Sequence, residues 1–218
     1  LREMQVRSII SHNQSPDVPF DHSINPYLGC EHGCIYCYAR PAHSYLDLSP
    51  GLDFETQIFF KPGAPARLVE TWEEPGYVCE PITIGANTDP YQPAEKNLEI
   101  TRQLLEVFLE YRHPVSLITK SNLISRDIDL LTELAELNLC SVAISVPTMS
   151  AELKRAMEPR IPSAAARLGA IRQLATGQDV VPDRELLVAF GQIVVQTETS
   201  NVTDNVLAGI SILLPSDV

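Results

Sequence analysis

"PITIGANTDPYQPAEKNLEITRQLLEVFLEYRHPVSLITK", residues 81–120, is the stretch whose reading decides the fold. Its opening, 81–86, reads as a buried strand. Residues 94–112 read as an amphipathic helix, because Ile100, Leu104, Val107, Phe108 and Tyr111 recur at helical spacing. Residues 114–120 read as the next strand. The rhythm continues with a helix over 126–138, where Ile128, Leu131, Leu134 and Ala135 share one side, and a strand over 140–146. A helix over 163–176 follows, with Ser163 as its cap and Leu168, Ile171 and Ala175 as its stripe. Strands alternating with helices through short links predict parallel βαβ units with right-handed crossovers. Such an α/β chain is either a doubly wound sheet or a (β/α) barrel, whole or partial, and in both the site lies at the carboxyl ends of the strands.

Outward from that stretch the signal changes. Residues 1–21 are polar, contain Pro16 and Pro19, and read as an N-terminal arm to a core domain over 22–218. Residues 22–29 read as a short strand-like approach. Residues 38–80 are rich in turn formers, with a helix near 64–72. Beyond Gln178 the rhythm weakens, although 185–196 and 206–214 read as later strands.

Composition narrows the function. Hydrophobic residues make up 44% of the 218 and charged residues 20%, as in ordinary globular domains. The longest apolar run is far short of a membrane span, and the charged N-terminus has no apolar core of a signal peptide. The net charge of −12 disfavours non-specific nucleic-acid binding, which relies on a surplus of Lys and Arg. Five cysteines, an odd number, suit a reducing, cytoplasmic setting.

Three of those cysteines carry the chemistry. In "NPYLGCEHGCIYCYARP", residues 25–41, Cys30, Cys34 and Cys37 form a C-x3-C-x2-C loop. Thiolates at this density bind zinc, copper(I) or iron–sulfur clusters. A structural zinc site needs a fourth ligand, for which His32 or His43 would have to serve. A ferredoxin-type cluster takes four cysteines, but Cys79 and Cys140 precede or open strands at the opposite end, and read as small buried hydrophobes. A four-iron cube on three thiolates leaves one iron for a small molecule.

With that motif the chain resembles the radical S-adenosylmethionine (SAM) superfamily, and within it the spore photoproduct lyase-like branch. "GLDFETQIFFKP", "IGANTDPYQPAEK", "VSLITKS" and "MEPRIPSAAARLGAI" resemble that branch in the same order, covering about residues 20–176. The resemblance implies a partial (β/α)6 TIM-like barrel of parallel strands, a [4Fe–4S] cluster on Cys30, Cys34 and Cys37, and SAM on the open iron. It implies an enzyme that cleaves SAM reductively to a 5′-deoxyadenosyl radical, which abstracts hydrogen from a substrate the sequence does not identify. An external one-electron reductant of the flavodoxin or ferredoxin type is implied as a partner. A nucleic-acid substrate rests on the resemblance alone, without support from charge. The alternative is a non-catalytic iron–sulfur or zinc module with a structural or electron-transfer role.

The resemblance also places residues around SAM. Tyr36 precedes the third cysteine, near the adenine, and Tyr38 follows it. Asn87, Thr88 and Asp89 stand where the superfamily holds the SAM amino group, although the usual two glycines and glutamate are absent. Lys120 is expected at the SAM carboxylate or the substrate, Ser145 or Thr148 at the ribose or carboxylate, and Arg160 against a carboxylate. Gly29 and Gly33 relieve crowding around the cube. Glu55 is a candidate positioning group, and His22, His32 and His43 read as loop histidines. Residues 177–218 do not resemble the family's fifth and sixth strands.

Overall fold

In the computed structural model, residues 1–14, 20–176, 193–197 and 208–212 are described. The strands are β1 (Arg2–Glu3), β2 (Ile10–His12), β3 (His22–Ile24), β4 (Tyr27–Leu28), β5 (Phe59–Phe60), β6 (Ile82–Ile84), β7 (Val115–Thr119), β8 (Cys140–Ile144), β9 (Ile193–Thr197) and β10 (Ala208–Ile212). The α-helices are α1 (Leu52–Thr56), α2 (Ala64–Trp72), α3 (Glu95–Leu98), α4 (Ile100–Glu110), α5 (Ile128–Glu136), α6 (Ala151–Met157) and α7 (Ala164–Thr176). The main sheet runs β2-β3-β6-β7-β8-β10-β9. Its centre, β3-β6-β7-β8, is parallel throughout, as a partial TIM-like barrel wall requires. β2 closes one edge antiparallel to β3. At the other edge β10 is antiparallel to β8 and β9 to β10, so these strands do not continue the parallel series. The polar arm is therefore stitched into the fold: β2 joins the main sheet, while β1 pairs with β5 in a small second sheet that includes β4.

The strands follow their sequence pattern. β7 and β8 alternate fully and partly buried residues, and all three residues of β6 are buried. α2 packs on α4, α4 on α5, and α5 on α7. Their apolar stripes, including Leu68, Leu104, Phe108 and Leu134, are fully buried. Each such side chain contributes about 1.5–3 kcal/mol of transfer free energy.

Three local readings are corrected. The helix expected over 94–112 is broken at Glu99, whose φ of +52° is left-handed. The buried Glu95 carboxylate accepts hydrogen bonds from the Thr101 and Arg102 amides at 3.0–3.3 Å and so caps α4 from within the core. In α7 the Ser163 hydroxyl does cap the helix, accepting from the Ala166 amide at 3.2 Å. Of the expected stripe Ile171 is buried and Leu168 packs partly buried against the core, but the buried face is shared with Ala164, Arg167 and Ala170, which were not expected there. α6 was not anticipated, although Ser150 caps it through the Leu153 amide.

Candidate functional site

The segments at the carboxyl ends of β3, β6 and β7 meet at one cavity of about 100 Å³, while β8 contributes no residue to its lining. The segment after β3 supplies Cys30, Cys34, Cys37 and Tyr38; the turn after β6 supplies Asn87, Thr88 and Asp89; the end of β7 supplies Thr119 and Lys120. The three thiols are free; Cys30 and Cys34 are buried and Cys37 is half-buried. Tyr36, Ser145 and Arg160 are not among the lining residues.

The cysteine loop is held by its backbone. The Cys30 amide donates to Phe54 O at 2.9 Å, and the Ile35 amide to Met157 O at 3.0 Å. Gly29 O accepts from the Thr88 hydroxyl at 2.6 Å and from Gln92 at 3.2 Å. Gln92 also accepts from the Glu31 amide, and the Glu31 carboxylate accepts from the Ala94 amide. Gly29 and Gly33 have φ of +84° and +69°, as expected of a crowded loop. At Gly33 a Cβ would collide with Arg160 Nη2, so the absent side chain is what lets that guanidinium lie against the loop.

Asp89 is the hub of the strand ends. One carboxylate oxygen accepts from the Thr119 hydroxyl at 2.6 Å and the Tyr91 amide at 2.9 Å. The other accepts from the Lys120 amide at 2.8 Å and lies 3.3 Å from His32 Nδ1. Burial would raise its carboxyl, but His32 outweighs that and holds it at about 2. Burial would likewise depress the His32 imidazole, and Asp89 overrides it to hold the imidazolium. Burial pushes the Cys34 thiol up to about 12 against the pull of the Lys120 ammonium; the Cys30 sulfur and Glu158 add to the rise. Burial also raises Cys37. Metal binding at Cys34 and Cys37 would oppose that rise, because a bound cation favours the thiolate form.

The expected SAM residues therefore divide. Asn87 is exposed at the cavity, and Lys120 lines it with its ammonium 5.8 Å from the Tyr36 ring centre. Tyr38 lines it too, its hydroxyl donating to Ala86 O. Thr88 and Asp89 line the cavity, but their polar atoms are engaged by the protein, which makes them positioning groups. Tyr36 donates to Glu158. Ser145 meets Arg167 through its carbonyl, at 2.8 Å. Arg160 is drawn away from the cavity, because Glu55 and the Glu31 carbonyl take its guanidinium.

The histidine and cysteine expectations also change. His22 lies within β3, 3.1 Å from Glu80. His32 lies in the cysteine loop as expected and is buried there, whereas His43 is buried within a short 3-10 helix, Arg40–Leu46. Cys140 is buried as expected, but Cys79 is exposed, because the segment before β6 runs along the surface. The sequence reading missed Glu158 and Arg167, a wholly buried ion pair at 2.9 Å behind Tyr36. Glu158 stands in the same "MEPR" block as Arg160, but charge alone does not show which member turns inward.

A parallel α/β wall with a three-cysteine loop at its carboxyl edge defines the class, and the family model for the radical SAM superfamily matches residues 24–180. The chain belongs to that superfamily, whose members use a [4Fe–4S] cluster and SAM. An uncharacterized protein of Mycobacterium tuberculosis is 39% identical over 163 residues, 74% of this chain and 48% of the relative. One of Methanocaldococcus jannaschii is 28% identical over 151 residues, 69% of this chain and 54% of the relative. The chain thus spans about half the length of the curated relatives it matches. Among solved structures, spore photoproduct lyase complexed with dinucleoside spore photoproduct aligns with a TM-score of 0.56 at 17% identity, covering 79% of this chain and 47% of that one. That likeness concerns the fold.

The donor set fits the family's cofactor. Three soft thiols face one cavity, and a cube asks each thiolate to bind a different iron. Among the described residues, no group of three His, Cys, Asp or Glu side chains is placed to hold a single metal ion. Among the described residues, no helix is long and apolar enough to cross a membrane.

Proposed function

We propose that this chain is the catalytic core of a radical SAM enzyme, in which Cys30, Cys34 and Cys37 hold a [4Fe–4S] cluster and the adjoining cavity receives SAM. The observation that carries the reading is the meeting of the three thiols with Asn87 and Lys120 in one cavity at the strand ends. When bound, cluster and SAM together supply one-electron cleavage of a carbon–sulfur bond and a radical able to abstract hydrogen. The chain's residues supply binding and orientation. Lys120 offers the cationic partner a SAM carboxylate needs, and Asn87 offers an amide able to pair with its amino or carboxylate group. Tyr38 covers the cavity edge, while Thr88 and Asp89 keep the loop and strand ends in register. The electron comes from an external reductant. A nucleic-acid lesion as substrate has only the fold likeness behind it, and the charge of −12 weighs against it.

Anaerobic reconstitution with iron and sulfide, then dithionite and SAM, tests the reading. About four irons and four sulfides per chain and formation of 5′-deoxyadenosine are expected. A chain that holds the cluster and forms no 5′-deoxyadenosine is a non-catalytic iron–sulfur module instead; a single zinc rejects the cluster as well.

A further inference from the structure

The cysteine loop is clamped from outside the cavity by one carboxylate shared between two guanidiniums. Glu55, on α1 and 16% exposed, gives one oxygen to Arg40 Nη2 and the other to Arg160 Nη2. Arg40 reaches on to Cys34 O at 2.9 Å and Gly51 O at 3.1 Å. Arg160 reaches on to the Glu31 carbonyl through Nε, while its amide donates to His32 O at 3.3 Å. Two arginines separated by 120 positions in the chain therefore grip the carbonyls of Glu31, His32 and Cys34. They would repel each other without the anion between them. Glu55 is well placed for this: burial pulls its carboxyl up, but the Arg160 and Arg40 hydrogen bonds prevail and hold it below the ordinary range. Gly33 has no side chain to prop the Arg160 guanidinium off the loop.

We propose that Glu55 is the positioning residue of the metal loop, acting through Arg40 and Arg160 to hold the loop's shape and to neutralise the two positive charges beside the metal centre. It touches neither thiol nor cavity, so it acts on the centre only through the loop and through charge. The part concerning the cluster rests on the function proposed above; the part concerning the loop does not.

The test compares the full chain with Glu55→Gln and Glu55→Asp. In the metal-free protein, amide hydrogen exchange is followed for peptides covering residues 30–40 and 157–161. In the reconstituted protein, iron loss to a chelator and the cluster midpoint potential by EPR titration are followed. Losing one charge-assisted hydrogen bond predicts exchange at Ile35 and Arg160, and iron loss, faster by about tenfold or more in Glu55→Gln. The midpoint should move upward, because two uncompensated guanidiniums favour the reduced, more negative cluster. Glu55→Asp should recover part of both. Wild-type loop exchange together with an unmoved midpoint in Glu55→Gln overturns the proposal. So does exchange that rises equally in α4 and α5, which would mark general destabilisation. A wild-type chain that takes up no cluster rejects the proposed function, and the role of Glu55 in holding the loop is then judged by the exchange result alone.

Discussion

Replacing Arg167 by Met tests the least expected feature of the site wall. Arg167 and Glu158 are both fully buried and lie 2.9 Å apart. Arg167 Nη1 also donates to Ser145 O at 2.8 Å, and Glu158 accepts from the Tyr36 hydroxyl. Removing the guanidinium leaves a carboxylate without its counter-charge, far from water. Breaking a buried pair on one side costs about 3–5 kcal/mol. A domain holds only roughly 5–15 kcal/mol in all, so the loss is a large fraction of stability. With a urea slope of about 2 kcal/mol/M, the unfolding midpoint should fall by about 2 M. The double variant Glu158→Leu with Arg167→Met removes both charges and should recover most of that loss, because a hydrophobic replacement of a buried pair is often neutral. Urea denaturation monitored by circular dichroism, on all four members of the cycle, provides the measurement. If Arg167→Met unfolds at the wild-type midpoint with the wild-type slope, the pair is not desolvated and the account of this wall is wrong. A double variant that loses the sum of the two single losses would refute the coupling itself.

Two further outcomes concern lysines elsewhere in the chain. Burial holds the Lys61 ammonium, which donates to Asn25 O at 2.7 Å, at about 8 instead of its ordinary 10.5. The unfolded chain therefore binds more protons between those two values, so stability should rise with pH across that window. The rise should vanish in Lys61→Met, as read from thermal melts; the same slope in both proteins would show that Lys61 is hydrated. Lys120→Met should weaken SAM binding by about tenfold or more, the equivalent of one charge-assisted contact, in equilibrium dialysis with the reconstituted protein. An unchanged dissociation constant would remove Lys120 from the cofactor site.

The parallel wall was legible because β6, β7 and β8 are short apolar runs separated by helices at 3.6-residue spacing. That periodicity is local, and burial of one face enforces it. The helix break at Glu99 was not legible, because it depends on where the Glu95 carboxylate sits, in a buried network with Arg126 and Tyr27. The three cysteines could be read because their spacing is itself the signal. The division of labour among the polar residues could not. Asp89, Thr88 and Arg160 look as free as Asn87 and Lys120 in one dimension, and a side chain's partners come from segments tens of residues away.

The sequence by itself determined that strands would alternate with helices and that three thiols would crowd one loop. Both are consequences of residue type at short range. Only the tertiary structure decided which charges face the cavity and which face each other. Glu55 on α1 meets Arg160 in the link between α6 and α7, and Glu158 in that link meets Arg167 on α7, because folding brings those segments together. Desolvation then makes any charge left without a partner there too costly to keep.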